Sequence, residues 1–141
     1  MSTTANETVL GIVILARHGD RLGFYQDPTT YTASGTSITP LGLQQELALG
    51  ALLRETYLTS SSPKFISGIN PIVDSTQIVV RADAGDEGFV IYDSSIALLQ
   101  GLYPPSNAHN ITLANGTIVE SPLGGYQYVP SECSKNLICS I

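Results

Sequence analysis

Residues 9–21 read VLGIVILARHGDR, an apolar run that ends in a group of charged side chains. Residues 9–16 carry no polar side chain, which is typical of a strand in a parallel sheet that is covered on both faces. The run is too short to cross a bilayer, and no Lys or Arg precedes it, as a signal peptide would require. It therefore predicts a buried strand and no membrane-spanning segment.

Charged residues are scarce in the rest of the chain. Asp, Glu, Lys and Arg make up 13% of the 141 residues, against about 25% in a typical globular protein, and the net charge is −6. The length suits a single domain. A chain with this acidic balance lacks the basic surface that general nucleic-acid binding requires. The clustering of Arg17, His18 and Arg21 stands out against this background.

Two helices and a second strand follow the first strand. Thr39 is a good N-cap and Pro40 a good first residue for a helix over residues 39–58. Leucines such as Leu43 and Leu47 share one side of that helix, so we expect this side to pack on a sheet. Residues 77–82 (QIVVRA) predict the second strand. The order of these elements is that of an α/β fold.

The second helix is predicted over residues 93–102, with Asp93 or Ser94 as its cap and Gly101 and two prolines at its end. Residues 23–37 are predicted to form a loop and residues 84–88 a turn. Residues 110–113 and 117–120 predict short strands.

Two strong strands and two helices do not complete a sheet covered on both faces. We therefore expect residues 9–141 to be the front part of a larger domain, preceded by a flexible segment at residues 1–8.

The ends of the two strands carry the candidate site. Arg17 and His18 directly follow the first strand, and Arg81 lies at the end of the second. Ligands bind beyond the carboxyl ends of strands in open α/β sheets, so we expect Arg21 to join these three residues there. Guanidinium groups match phosphate oxygens, and a neutral imidazole attacks phosphorus. Gly19 is expected to let the backbone approach a bound group.

Several motifs in order resemble one known family. Residues 17–21 (RHGDR) resemble the RHGxR signature of the histidine phosphatase superfamily, and in particular its histidine acid phosphatase and phytase branch, with fungal phosphoglycerate mutase-like proteins. The helix after the signature is matched by residues 39–42 (TPLG) and 53–54 (LR). Residues 80–81 (VR) and 101–105 (GLYPP) match later landmarks. The resemblance covers about residues 9–105.

The resemblance implies a fold and an activity. The fold would be part of a three-layer α/β/α domain with a mainly parallel sheet, incomplete in this chain. The activity would be phosphomonoester hydrolysis of the acid phosphatase type through a phosphohistidine at His18. Arg17, Arg21 and Arg81 would bind the transferred phosphoryl group of a phosphorylated small molecule. No metal and no organic cofactor are implied.

The chain departs from the family pattern in three places. Gly23 stands where the family has Pro, and residues 82–88 (ADAGDEG) replace a Ser-Thr-Asp and a later Arg-Thr, with Glu87 in place of the arginine. The family's second histidine with its neighbouring acid has no match, because His109 is followed by Asn110. These departures leave open the alternative that the chain is a non-catalytic protein that binds phosphate or another anion.

The missing acid also leaves the proton donor undetermined. The sequence offers Asp20, Asp83, Asp86 and Glu87 near the predicted site and selects none of them. Loss of a proton donor typically costs ~10²–10⁴-fold in rate. We therefore expect the 141-residue chain alone to show little phosphatase activity and to expose apolar surface.

The sequence leaves the compartment and the oligomeric state open. Asn6, Asn110 and Asn115 begin N-glycosylation sequons, which matter only in an exported protein. An extracellular structural or adhesive module would rest only on these sequons and on the loops rich in Tyr and Thr. Cys133 and Cys139 fit one disulfide or two free thiols equally well.

Overall fold

The structure is a computed structural model, and it describes residues 9–23, 27–31, 35–83 and 89–133. This part of the chain mixes helices and short strands, so the α/β class expected from the sequence is confirmed at that level. The predicted flexible segment at residues 1–8, the turn at residues 84–88 and Cys139 lie outside the described residues. The described residues of the predicted loop 23–37 contain neither a helix nor a paired strand.

The first helix, α1, spans Pro40–Leu53 and continues as a π-helical turn at Arg54–Leu58. The Thr39 hydroxyl accepts a hydrogen bond from the Gly42 backbone N–H at 3.1 Å, which satisfies one of the unpaired donors of the first turn. The start and the end predicted from the sequence are therefore confirmed.

The second helix, α2, spans Val90–Leu102. It begins earlier than predicted, and neither Asp93 nor Ser94 caps it. Its N-cap is Phe89, which has a left-handed backbone (φ 63°) and no side-chain cap hydrogen bond. Asp93 lies instead in the first turn, where a carboxylate interacts favourably with the helix dipole. Four of its buried residues recur at helical spacing, namely Val90, Ser94, Ala97 and Gly101, and Leu99 and Leu102 are also buried.

Helices α1 and α2 pack directly on each other. A Cβ added to Gly50 would overlap the backbone of α2, and one added to Gly101 would overlap the backbone of α1. The expectation that the leucine side of α1 packs on a sheet is wrong, since Leu43 and Leu47 remain 40% and 43% exposed. Because the two helix backbones approach closely at the glycines, the face of α1 that is buried is a different one, and its buried residues are Gly42, Glu46 and Gly50.

Four short strands form two pairs. Strand β1 (Arg81–Ala82) pairs in parallel with β4 (Glu132–Cys133), with Arg81 opposite Glu132. Strands β2 (Ile111–Thr112) and β3 (Ile118–Val119) form an antiparallel pair. The two short strands predicted after α2 are confirmed over their central residues, whereas the strand predicted over residues 77–82 is paired only at its last two residues.

The strand predicted over residues 9–16 is the largest difference from the sequence-based expectation. The structure assigns no strand there, and within the described part of the chain the backbone of residues 9–17 makes no hydrogen bond. A strand requires a paired neighbour, and none of the described segments pairs with this one. Val13 and Leu15 are fully exposed. The expected exposure of apolar surface is confirmed.

The core lies where the ends of the two helices meet. Leu99, Leu102 and Tyr103 form its buried centre, and burial raises the pKa of the Tyr103 phenol. Arg54 ties the end of α1 to this centre by donating to the Leu102 carbonyl at 2.9 Å. Buried Gln127 fastens the chain after the four-residue turn at Pro122–Gly125, because it donates to the Pro104 carbonyl at 2.6 Å.

None of the described helices has the length and apolar character needed to cross a membrane.

Candidate functional site

The loop that carries the histidine is fastened to the start of α1. The Asp20 backbone N–H donates to Oε1 of Gln45 at 2.9 Å, and the Thr39 N–H donates to the Asp20 carbonyl at 3.0 Å. The Thr39 hydroxyl also donates to the Asp20 carboxylate at 2.6 Å. The N-cap that begins the helix therefore also fixes the loop.

Gly19 brings the loop into direct backbone contact with α1. It is buried, and its N–H donates to Oγ of Ser94 in α2 at 3.1 Å. A Cβ on Gly19 would overlap the main chain of Gly42, with 2.8 Å to the Gly42 Cα. The space that we expected for a bound group is thus occupied by the helix, and the glycine serves packing of the loop.

His18 is half-buried and has one defined hydrogen bond. Its Nδ1 lies 2.7 Å from the carbonyl oxygen of Gly19. A carbonyl only accepts, so Nδ1 carries the proton and donates it. In the neutral imidazole this leaves the lone pair on Nε2. Among the described residues, Nε2 has no hydrogen-bond partner.

A cavity of about 760 Å³ lies beside this histidine. Residues 10–18 and 77–82 form two of its sides, and the others come from α1, the end of the π-helical turn, residues 66–69 and α2. Arg17, His18 and Arg81 all line it, so three of the four residues predicted for the site share one cavity. Arg21 does not line it, and its backbone instead forms an isolated antiparallel bridge with Ile38.

Arg81 is already engaged with an acidic side chain. Its Nε lies 3.0 Å from Oε2 of Glu132, its neighbour across the parallel pair. Both side chains are largely exposed, at 72% and 65%. Exposed ion pairs contribute little free energy, so a bound anion has only a weak competitor for this guanidinium.

Glu46 is the residue at this site that the sequence did not single out. It is only 5% exposed, it belongs to α1, and it is the one acidic residue among the described residues that line the cavity. Burial raises the pKa of its carboxyl group, and the nearby His18 partly offsets this rise. The sequence feature that could have predicted its burial is the spacing of Glu46, which lies four residues from both Gly42 and Gly50 and so shares the buried face of α1 with them.

The acids considered from the sequence lie elsewhere. The Asp20 carboxylate accepts from the Thr39 hydroxyl, and neither Asp20 nor Asp83 lines the cavity. Asp86 and Glu87 lie outside the described residues. Over the described ranges, no group of three or more His, Cys, Asp or Glu side chains is placed to hold a metal ion.

Comparison of the chain with models of known protein families and with curated proteins gave no match. Its function is therefore argued from the chemistry of the site itself.

Proposed function

We propose that the chain belongs to the histidine phosphatase superfamily and carries the phosphate-binding side of a phosphomonoester hydrolase. In this proposal His18 is the nucleophile, and Arg17, Arg21 and Arg81 bind the oxygens of the transferred phosphoryl group. The observation that carries the proposal is the hydrogen bond from His18 Nδ1 to the Gly19 carbonyl. That bond fixes the tautomer whose Nε2 lone pair is available for attack beside a cavity that two arginines line.

The reaction would run in two steps. Nε2 attacks the phosphorus, the bond to the ester oxygen breaks, and a phosphohistidine forms. Water then attacks the phosphorus, and the bond to nitrogen breaks. The guanidinium groups stabilise the charge on the equatorial oxygens in both steps.

The proposal extends to the architecture. We propose that the chain forms part of a three-layer α/β/α domain with a mainly parallel sheet. The parallel β1–β4 pair supports this, as does the apolar character of residues 9–16 on both sides. Residues 9–16 would become a strand once a neighbour pairs with them.

A phosphate-binding protein without catalysis is the second candidate. Two observations favour it: Arg21 does not line the cavity, and Arg81 pairs with Glu132. Such a protein would use Arg17 to hold an anion and would leave His18 unmodified.

Turnover of an aryl phosphate by wild type, His18→Ala and His109→Ala separates these candidates. His109 is a matched control, because it is exposed in a short 3₁₀ turn and does not line the cavity. Because turnover by this chain is expected to be slow, the formation of phosphohistidine from a dinitrophenyl phosphate is measured beside turnover. We expect His18→Ala alone to abolish both, and equal phosphohistidine formation in wild type and His18→Ala would refute the hydrolase.

Calorimetric titration with vanadate completes the test. Binding that is lost in Arg17→Ala, without turnover or phosphohistidine formation by the wild type, would establish the phosphate-binding protein. Absence of saturable binding would refute both candidates.

A further inference from the structure

We propose that Glu46 is the proton donor and acceptor of this site, a catalytic role that rests on the phosphohistidine chemistry proposed above. Its carboxyl group would protonate the leaving oxygen of the ester and would later accept a proton from the attacking water.

The position of Glu46 is the first support. Its side chain is nearly fully buried, yet it lines the same cavity as His18. Within the described part of the chain its carboxyl group has no hydrogen-bond partner, so its proton is not committed to another group. The side chain is thus packed between the helices, and its position on the cavity wall leaves the carboxyl group available to a bound substrate.

The attachment of the histidine loop to α1 is the second support. The loop is hydrogen-bonded to the first turns of the helix that carries Glu46, through Asp20, Thr39 and Gln45. Gly19 meets the same helix backbone to backbone. His18 and Glu46 therefore belong to one unit, and a fixed separation between nucleophile and acid is what catalysis by a positioned acid requires.

The charged and titratable groups around the cavity fit an acid of this kind. Besides His18, those that line it are Arg17, Arg81, Tyr57 and Tyr103. Burial raises the pKa of Glu46, which keeps a larger fraction of the carboxyl group protonated at mildly acidic pH. The electrostatic interaction with His18 acts in the opposite direction and lowers the pKa of Glu46, which favours the carboxylate that the second step needs.

The proton balance closes within the site. In the first step the P–O ester bond breaks, the Nε2–P bond forms, and the Glu46 proton moves to the leaving oxygen, which departs as an alcohol. In the second step the oxygen of water bonds to phosphorus, the P–N bond breaks, and a water proton returns to the Glu46 carboxylate. Inorganic phosphate leaves, and both residues are restored.

The test compares phosphate esters of graded leaving-group basicity in wild type and Glu46→Gln. A dinitrophenyl ester needs no proton donor, whereas an alkyl ester does. We expect Glu46→Gln to form phosphohistidine from the dinitrophenyl ester at the wild-type rate. Its rate of phosphohistidine formation from the alkyl ester should fall ~10²–10⁴-fold. Glu55→Gln is the matched control, since Glu55 is exposed on the π-helical turn and does not line the cavity.

The outcomes separate the two proposals. An equal loss in the rate of phosphohistidine formation with both esters, or no loss with either, overturns the role of Glu46 and leaves the nucleophile in place. If the wild type forms no phosphohistidine even from the dinitrophenyl ester, both proposals are overturned. Circular dichroism of Glu46→Gln shows whether the fold persists. Recovery of the alkyl ester rate in Glu46→Asp would further support a positioned carboxyl group.

Discussion

Gly19 and Gly42 lie backbone against backbone, and this contact sets the position of the histidine loop on α1. A Cβ on Gly19 would overlap the main chain of Gly42, and a Cβ on Gly42 would overlap the main chain of Asp20. The neighbours here are backbone atoms, which cannot move aside as a flexible side chain can.

Gly19→Ala should therefore destabilise the protein by about 1–3 kcal/mol, the usual range for overpacking. Denaturant unfolding measures the change. Gly23→Ala is the control, because nothing lies within 4 Å of the position of its Cβ. Similar free energies of unfolding for the two variants would show that the contact is not formed.

Gly101→Ala tests the contact between the two helices. Alanine is a better helix former than glycine by about 1 kcal/mol, but here its Cβ would overlap the backbone of α1. We expect a net loss of about 1–3 kcal/mol in the free energy of unfolding. Ala48→Gly, at an exposed position of α1, should lose about 1 kcal/mol through propensity alone. A stabilised Gly101→Ala would contradict the packing.

Residues 9–16 should bind a hydrophobic dye. Their apolar side chains are exposed, and Val13 and Leu15 have no cover at all. Val13→Asp and Leu15→Asp together should lower dye fluorescence without lowering the melting temperature. Leu123→Asp, also exposed but remote in sequence, provides the comparison. A large loss of stability in the double variant would show that this segment is packed.

Glu46→Gln should change stability in a pH-dependent way. Burial raises the pKa of Glu46, so folding favours the neutral carboxyl group. The stability that this gives is fully present below the ordinary pKa of glutamate, about 4.3, and is lost as the pH rises through the folded pKa. Gln keeps the neutral shape, so the variant should melt above the wild type at neutral pH and close to it near pH 4. A difference that does not depend on pH would contradict this.

The sequence predicted the local features of the fold better than their packing. Thr39 and Pro40 marked the start of α1 because capping depends on neighbouring residues alone. The buried face of α1 was missed because the glycines allow a close backbone approach, which overrides the pattern of leucines. The strand at residues 9–16 depended on a pairing partner, which no local pattern supplies.

The candidate site was predicted in part for the same reason. Arg17, His18 and Arg81 were placed together because two apolar segments end at them, and the structure gives them one cavity. Glu46 was missed because a glutamate within a helix is ordinarily solvated, and only the packing of α1 on α2 buries it.

The most direct test of the central claim is the site of phosphorylation. The claim is that the Gly19 carbonyl holds the proton on Nδ1 of His18 and leaves Nε2 to take the phosphoryl group. The measurement is ¹⁵N and ³¹P nuclear magnetic resonance of labelled protein after reaction with a dinitrophenyl phosphate. The account predicts phosphate on Nε2 of His18 and none on His109. Phosphate on Nδ1 of His18, or no phosphohistidine at all, would contradict it.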